Sequence, residues 1–140
     1  MHYITSILLL TSLVAAGDRN VVVSGSSGVP AMHAAVLPDG TVMFLDKIED
    51  RSQLFLPDGR KAYSSVYDPN TGGVSPLEVQ TNPFCCGGSF LADGRILSVG
   101  GNGPLLHEDP SVADGFDGIR YLGAEHGAWA EPGNKLASRR

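Results

Sequence analysis

The chain has 140 residues, including 18 glycines and 9 prolines, and a formal net charge of −5 at pH 7. This length suits one small domain or part of a larger one, and so many glycines and prolines predict frequent turns. Nucleic acids and acidic membranes need clustered Lys and Arg. The basic residues here are scattered, so we expect neither as a partner.

Residues 1–16 have the pattern of a secretory signal peptide. A short apolar run ends at Val14, and small residues occupy the −3 and −1 positions of a cut before Gly17. The run is too short to cross a bilayer. We therefore expect residues 1–16 to be removed and residues 17–140 to be secreted. The alternatives are a buried strand or an uncleaved anchor.

Three segments predict β-hairpins. In each, an apolar run leads into Asp-Gly and a second apolar run follows. Asp-Gly between such runs predicts a hairpin, because glycine takes the positive φ of a tight turn without steric cost. The segments are residues 34–44, 54–63 and 89–99. The first and third lie about one kelch repeat apart, roughly 50 residues. The middle segment is either a repeat or a second hairpin of the first blade.

Further elements complete the pattern. Residues 63–67 and 118–122 predict strands, and residues 68–73 predict a turn. Residues 102–118 and 123–135 are interpreted as loops, and residues 135–138 begin another element. The count gives one to two blades of four-stranded antiparallel sheet. Because a blade cannot bury both faces alone, we expect an all-β fold that is part of a propeller; an ordinary β-hairpin protein is the alternative.

The only cysteines, Cys85 and Cys86, are adjacent. Secretion permits disulfides, but a bridge between neighbouring residues closes a strained ring and is uncommon. A zinc site is not indicated either, because no second Cys or His pair lies at ligand spacing. The pair must therefore be interpreted from its surroundings in the sequence.

The most specific stretch is residues 82–101, where Phe84 and Cys85 precede a glycine pair, a hairpin follows, and a second glycine pair closes the run. It resembles the cysteine-bearing hairpin of the glyoxal oxidases, copper-radical oxidases built on a kelch propeller. Other stretches similar to the amino-terminal region of that family are residues 28–35, 37–40, 44–46, 67–69, 117–120 and 136–140. The resemblance implies that residues 17–140 are the amino-terminal part of a seven-bladed kelch-type β-propeller.

The resemblance also implies a chemistry. In the family, a cysteine sulfur is bonded to the ring of a tyrosine that ligates copper, and the modified tyrosine forms a radical. Small aldehydes such as glyoxal and methylglyoxal become carboxylic acids, while O₂ becomes hydrogen peroxide. Cys85 matches the thioether cysteine. Cys86 departs from the family pattern of a small residue such as Ala or Ser, and we interpret it as a buried apolar substitute. Its use as the wrong sulfur, or oxidation of the pair, stays open.

The rest of the cofactor is expected outside this chain. The resemblance places the partner tyrosine just beyond Arg140 and the other copper ligands, a tyrosine and two histidines, further downstream. We interpret His33 as structural, His107 and His126 as solvated, and Tyr121 as an aromatic residue of a strand. The 140 residues alone are therefore expected to be inactive, with no complete copper site.

Other hypotheses are kept. One is a non-catalytic secreted kelch propeller module that binds carbohydrate or protein. Another is a truncated chain that does not fold stably, because exposed strand edges favour aggregation. The acidic pairs at 49–50 and 108–109 are interpreted as surface charges rather than a glycosidase site. Trp129 is expected to pack between blades without a catalytic role.

Overall fold

Eight short β-strands make up the regular structure of the computed structural model, which describes residues 21–123 and 127–139. The strands are β1 (His33–Val36), β2 (Val42–Leu45), β3 (Ser64–Tyr67), β4 (Val74–Leu77), β5 (Gly87–Phe90), β6 (Ile96–Val99), β7 (Ile119–Leu122) and β8 (Trp129–Ala130). The described part of the chain contains no helix, and hence none that is long and apolar enough to cross a membrane.

The strands form two antiparallel sheets of identical topology. The first sheet has the order β1-β2-β3-β4, and the second has the order β5-β6-β7-β8. Within each sheet, every strand pairs with the next one along the chain. Strands β1 and β4 are therefore the edges of the first sheet, and β5 and β8 are the edges of the second. The expected all-β fold of one to two four-stranded blades is confirmed.

Three Asp-Gly turns share one geometry. In each, the glycine N–H donates to a leucine carbonyl three residues earlier, at 2.9 to 3.0 Å, and the aspartate Oδ1 accepts the N–H two residues later, at 3.0 to 3.1 Å. The glycines adopt left-handed φ values of 85° to 88°. This is the type I turn followed by a left-handed residue that joins short hairpins. The turns are Leu37–Gly40, Leu56–Gly59 and Leu91–Gly94.

The middle hairpin differs from its prediction. Its turn is present, but the expected strands over 54–63 are reduced to one isolated bridge between Phe55 and Lys61. The reason is the pairing of β3 with β2, which makes the intervening residues a connection within the first sheet. Phe55 is 58% exposed, so its apolar side chain does not face the core. The segment is therefore a short hairpin within the first blade rather than a repeat, closed by hydrogen bonds from Leu56 N to Arg60 O and from Ala62 N to Leu54 O.

Two strands were not predicted from the sequence. Strand β4 contains Pro76, which is tolerated because β4 is an edge strand and needs only one set of ladder hydrogen bonds. Strand β8 has only two residues, within the expected loop 123–135. Residues 135–138 form a single bridge, from Lys135 to Gly118, rather than a strand.

A single hydrophobic core joins the two sheets. Its buried members come from both sheets and their connections: Leu37, Met43, Leu45, Ile48, Tyr63, Val66, Leu77, Val79, Cys86, Ile96, Val112, Leu122 and Trp129. The Trp129 Nε1 in β8 donates to Ser64 Oγ in β3 at 2.9 Å, which satisfies a polar group that would otherwise be buried unpaired. Trp129 therefore packs between the sheets, as expected.

Candidate functional site

Cys85 lies in a tight turn immediately before the edge strand β5. The N–H of Cys86 donates to the carbonyl oxygen of Pro83 at 3.0 Å and closes the turn. Cys85, the third residue of this turn, has a φ of 61° and is the only non-glycine residue with positive φ among the described residues. This position favours glycine or asparagine, and the left-handed conformation costs another residue about 1 to 2 kcal/mol. Neighbouring contacts must therefore hold Cys85 in place.

The turn sends the two cysteines into different environments. Cys85 is exposed and Cys86 is buried, with 6% of its surface accessible, and both are free thiols. Cys86 belongs to the core between the sheets, which confirms its interpretation as a buried substitute. Both residues precede β5, so the turn rather than strand alternation separates them. Cys85 is therefore the more accessible of the two cysteines.

Asn82 anchors the turn at its start, and none of its surface is exposed. Its N–H donates to Ala113 O at 2.9 Å, and its carbonyl oxygen accepts from Asn102 N at 3.2 Å. Its side chain donates from Nδ2 to Gly103 O at 2.8 Å and accepts at Oδ1 from Phe84 N at 3.1 Å. Every hydrogen-bonding group of Asn82 is therefore used, and one bond reaches the residue beside Cys85.

Arg120 in β7 is a fully buried cation behind this anchor. Its Nη2 donates to Asn82 O at 3.2 Å, and its Nη1 donates to Gly100 O at 2.8 Å and to Ser98 Oγ at 3.4 Å. Its Nε lies 3.9 Å from Glu131 Oε2. Burial lowers the pKa of Arg120, and the charge of Glu131 opposes that effect. A guanidinium stays protonated in proteins, so a buried ion pair supports the turn.

Glu131 completes the pair from the chain just after β8. Its Oε1 accepts from Gln80 N at 2.7 Å and Thr81 N at 3.3 Å, and its Oε2 accepts from Thr81 Oγ1 at 2.6 Å. These bonds fix the two residues that lead into Asn82. A buried charge is tolerated when it is paired and hydrogen-bonded, and Glu131 meets both conditions.

A second contact reaches the turn from the first sheet. The ammonium of Lys47 lies 5.9 Å from the centroid of the Phe84 ring. Beside Lys47, Asp46 is buried and neither carboxylate oxygen accepts a hydrogen bond. Burial raises the pKa of Asp46 to about 6 although the adjacent Lys47 opposes the shift, and the charge of Glu49 adds a smaller increase. The turn is therefore contacted by Lys47 on the side of the first sheet and is anchored through Asn82 and Arg120 on the side of the second.

The strand that follows Cys85 borders a cavity between the sheets. All four residues of β5 are exposed, and a cavity of about 230 Å³ lies between β5 and β6 on one side and β1 and β2 on the other. Cys86 and His33 are among its lining residues. The Nε2 of His33 is buried without a hydrogen-bond partner. Cys85 does not line the cavity, so the cavity and the exposed sulfur are separate features.

Copper does not fit on the described residues alone. Within residues 21–123 and 127–139, no group of three or more His, Cys, Asp or Glu side chains could hold a metal ion. His33 lies in β1, and His107 is a loop residue with 73% of its side chain exposed, as expected of a solvated histidine. The Tyr121 ring lies in β7 under the guanidinium of Arg95, at 5.3 Å, as expected of a strand aromatic. His126, Arg140 and the expected signal at 1–16 lie outside the described residues.

Sequence reasoning singled out Cys85 but missed the residues that hold it. Arg120 had a detectable signal, because side chains alternate along a strand and Arg120 shares a face with Leu122, which is buried. Asn82 had a weaker one, because Asn before Pro favours a turn. The part played by Glu131 depends on the position of β8, which the sequence did not predict.

Comparisons with known proteins show which proteins the chain is similar to. No model of a protein family matches the chain. The protein named "Aldehyde oxidase GLOX" from Vitis pseudoreticulata is 34% identical over 92 residues, covering 55% of this chain and 18% of the relative. The "Aldehyde oxidase GLOX1" of Arabidopsis thaliana is 33% identical over 132 residues, covering 82% of this chain and 20% of the relative. The chain therefore spans about a fifth of the length of these curated relatives.

A solved structure supports the fold. It is a fungal alcohol oxidase of the AA5 family in complex with copper, with a TM-score of 0.54 and 25% sequence identity. The match covers 81% of this chain and 22% of that chain. Together with the two packed four-stranded sheets, this match confirms that the fold is part of a β-propeller.

Proposed function

Because the chain is glyoxal oxidase-like over its match to these relatives, we propose that it supplies the sulfur of a Cys–Tyr cofactor in a copper-radical oxidase. Cys85 is the donor, and its partner is a tyrosine beyond Arg140. The proposed overall reaction converts an aldehyde, water and O₂ into a carboxylic acid and hydrogen peroxide. The hydrated aldehyde loses two electrons and two protons, and O₂ gains them. Glyoxal and methylglyoxal are the proposed substrates.

The presentation of Cys85 is the observation that supports this proposal. Its thiol is exposed, at the entry to an edge strand, on a backbone in the left-handed conformation. Backbone strain of this kind persists only where surrounding contacts enforce it, and it is concentrated at functional sites. The fully hydrogen-bonded Asn82 and the buried Arg120 are such contacts. A purely structural turn would gain by having glycine at this position.

The contribution of copper is limited by the ligands available. Copper in such a cofactor would supply one-electron redox chemistry and would take nitrogen and oxygen ligands. The described residues provide no such ligand group, so no step of the reaction is assigned to a metal held by them. We accordingly expect no peroxide from residues 17–140 alone when an aldehyde is supplied.

Formation of the thioether has a defined balance. The bond forms between the Cys85 sulfur and a ring carbon of the tyrosine, and the S–H and C–H bonds break. Two protons and two electrons leave, and O₂ accepts them to give hydrogen peroxide. The cross-linked protein is therefore lighter than its unlinked form by two hydrogen atoms. The reaction uses one sulfur only, so that of Cys86 is not needed.

A chimera tests the proposal. Residues 17–140 would replace the matching segment of the Arabidopsis GLOX1 protein, and peroxide formation from methylglyoxal would be measured after copper loading. We expect activity in the chimera and in Cys86→Ser, and none in Cys85→Ser. Loss of activity in Cys86→Ser with retention in Cys85→Ser would contradict the proposal. A folded chimera with no activity and no cross-link would favour the non-catalytic binding module.

Secretion is proposed separately, from residues 1–16. A short apolar run followed by small residues supports removal of this segment during export. The protein would be expressed in a eukaryotic host and recovered from the medium. We expect its first residue to be Gly17 by amino-terminal sequencing. Retention of the intact amino terminus inside the cell would contradict the assignment.

A further inference from the structure

We infer that Asn82 and Arg120 are positioning residues that decide which of two adjacent sulfurs the protein presents. Cys85 and Cys86 are chemically identical, yet one is exposed and the other is buried in the core. The importance of this selection for a cofactor rests on the proposed function. The selection itself is a property of the fold and can be measured without copper, tyrosine or substrate.

The first step of the argument is the link between Asn82 and the turn. The Asn82 side chain accepts the N–H of Phe84 at 3.1 Å, and the turn closes when Cys86 N donates to Pro83 O at 3.0 Å. Together these two bonds fix the Pro83–Phe84 peptide and tie the Cys85–Cys86 peptide to it, so the chain on either side of Cys85 is held in place. Without the first bond, the left-handed strain at Cys85 favours relaxation of the turn toward negative φ. Relaxation would rotate both side chains away from their present environments.

The second step is the rigidity of Asn82 itself. Arg120 Nη2 donates to its carbonyl oxygen, and two glycines are packed against the same oxygen. A Cβ added at Gly115 would lie 1.9 Å from Asn82 O, and one added at Gly101 would lie 2.0 Å from it. The Asn82 carbonyl oxygen therefore sits in a closely fitted recess, which Arg120 closes with a charged hydrogen-bond donor. Arg120 in β7 thus fixes the position of Asn82, and Asn82 in turn binds Phe84 in the turn.

The third step is the environment of Cys86. It belongs to the core that joins the sheets and lines the cavity between them. Any rotation that exposes Cys86 must remove it from that core. When the turn is closed, Cys86 is buried and Cys85 is exposed at the same time. The Asn82–Arg120 contact thus acts on both thiols through one peptide segment.

The test is site-resolved alkylation of the full chain with iodoacetamide, quantified by tandem mass spectrometry of the peptide that contains both cysteines. In the wild type, Cys85 should react much faster than Cys86. Asn82→Ala removes both side-chain hydrogen bonds of Asn82, that from Phe84 N and that to Gly103 O, and should lower the ratio of the two rates about five- to tenfold. Asn82→Asp keeps the acceptor for Phe84 N and should recover part of the ratio.

Two controls separate positioning from general destabilisation. Asn70→Ala changes an exposed turn residue and should leave the ratio unchanged. Val112→Ala removes buried core volume, so it reports what lost stability alone does to the ratio. If Val112→Ala lowers the ratio as much as Asn82→Ala at the same loss of stability, the inference is wrong.

Arg120→Lys provides an independent variant, because it keeps the positive charge but loses the planar fork of donors. It should lower the ratio in the same direction as Asn82→Ala. Equal reaction of the two thiols in the wild-type chain would overturn the inference. Neither outcome bears on whether Cys85 forms a cross-link in the chimera, so failure here and failure of the proposed function are distinguishable.

Discussion

The two sheets share strand order, antiparallel pairing and an Asp-Gly hairpin between their first two strands, yet they bury charge differently. The first sheet leads into Asp46, whose carboxylate is buried without a hydrogen bond. The second sheet contains Arg120 and is followed by Glu131, whose carboxylate accepts three hydrogen bonds. One topology thus tolerates both an unpaired acid and a paired one. The paired charges lie where the chain turns at Cys85.

The turns show a parallel contrast. At three Asp-Gly turns, glycine occupies the left-handed position, whereas at the turn before β5 that position belongs to Cys85. Glycine adopts this conformation without steric cost, while another residue needs external support. The second sheet thus has a strained residue, Cys85, at its start, together with the Asn82 and Arg120 contacts that hold the turn in place. Variants that remove the support, the strain or the unpaired acid should separate these effects.

Replacement of Arg120 should have the largest effect. Arg120→Met leaves the Glu131 carboxylate buried without its cation and removes one of the two donors to Asn82 O. Breaking a buried pair costs about 3 to 5 kcal/mol. We expect a loss of this size in the free energy of unfolding, measured by urea denaturation. Arg51→Met is the control, because the Arg51 side chain is 80% exposed, and it should change stability little. Equal stability of the two variants would contradict the importance of the buried pair.

Crowding of the recess should come next. Gly115→Ala places a Cβ 1.9 Å from Asn82 O, and such overpacking costs about 3 kcal/mol. Gly59→Ala is the matched change in an Asp-Gly turn, where φ is 88° and the added Cβ meets nothing within 4 Å. Only conformational strain remains there, about 1 kcal/mol. Thermal unfolding of both variants should show the larger loss for Gly115→Ala, and the reverse order would contradict the account.

Removal of the unpaired acid should stabilise the protein at neutral pH. The pKa of Asp46 is raised from 3.8 to about 6 by burial, so the folded state binds this proton more tightly than the unfolded state. Its contribution to stability is full below pH 3.8 and is lost as pH rises through about 6. Asp46→Asn should therefore gain up to about 3 kcal/mol at pH 7.

The pH profile supplies the control for Asp46→Asn. Several surface acids have lowered pKa values, so their stabilising contribution is lost as pH falls, but they are common to both proteins and cancel in the difference. They are Asp50, Asp58, Asp68, Asp93 and Asp114. The gain from Asp46→Asn should shrink below pH 6 and be absent near pH 3.8. A constant gain at every pH would show that ionisation is not its cause.

The smallest expected effect is at Cys85 itself. Cys85→Gly relieves left-handed strain of about 1 to 2 kcal/mol, offset by the greater freedom of glycine in the unfolded chain. We expect a net gain of about 0.5 kcal/mol, measured by urea denaturation. Gly59→Cys, the reciprocal change, should lose stability. If Cys85→Gly destabilises the protein, the cysteine makes favourable contacts that outweigh its strain.

The parts of the fold that were predictable are those fixed by local chemistry. The turns at Asp39 and Asp93 and the strands around them follow from Asp-Gly between apolar runs. The same signal at Asp58 gave a correct turn but incorrect strands, because the pairing of β3 with β2 is a long-range choice. Strand β8 is two residues long and depends on its contacts with β7 and Ser64. No local pattern could show this.

The candidate site also has a part that local sequence predicts and a part that depends on long-range contacts. The Phe84-Cys85 sequence followed by glycines marked the sulfur, but its conformation depends on Asn82 and Arg120. Strand alternation with Leu122 indicates an inward-facing Arg120, but a charged residue is almost never fully buried unless it is paired, and the sequence does not show its partner. Its partner Glu131 becomes apparent only when β8 is placed beside β7. The sequence could therefore single out Cys85 but not the contacts that hold its turn.

The most direct test of the account is to identify which sulfur carries the cross-link in the copper-loaded GLOX1 chimera. Tandem mass spectrometry of the peptide containing residues 82–95 would assign the thioether to one cysteine. We expect the bond on Cys85, with Cys86 recovered as a free thiol. A thioether on Cys86 would show that the turn does not select the sulfur, and its absence from a folded, copper-loaded chimera would contradict the role proposed for Cys85.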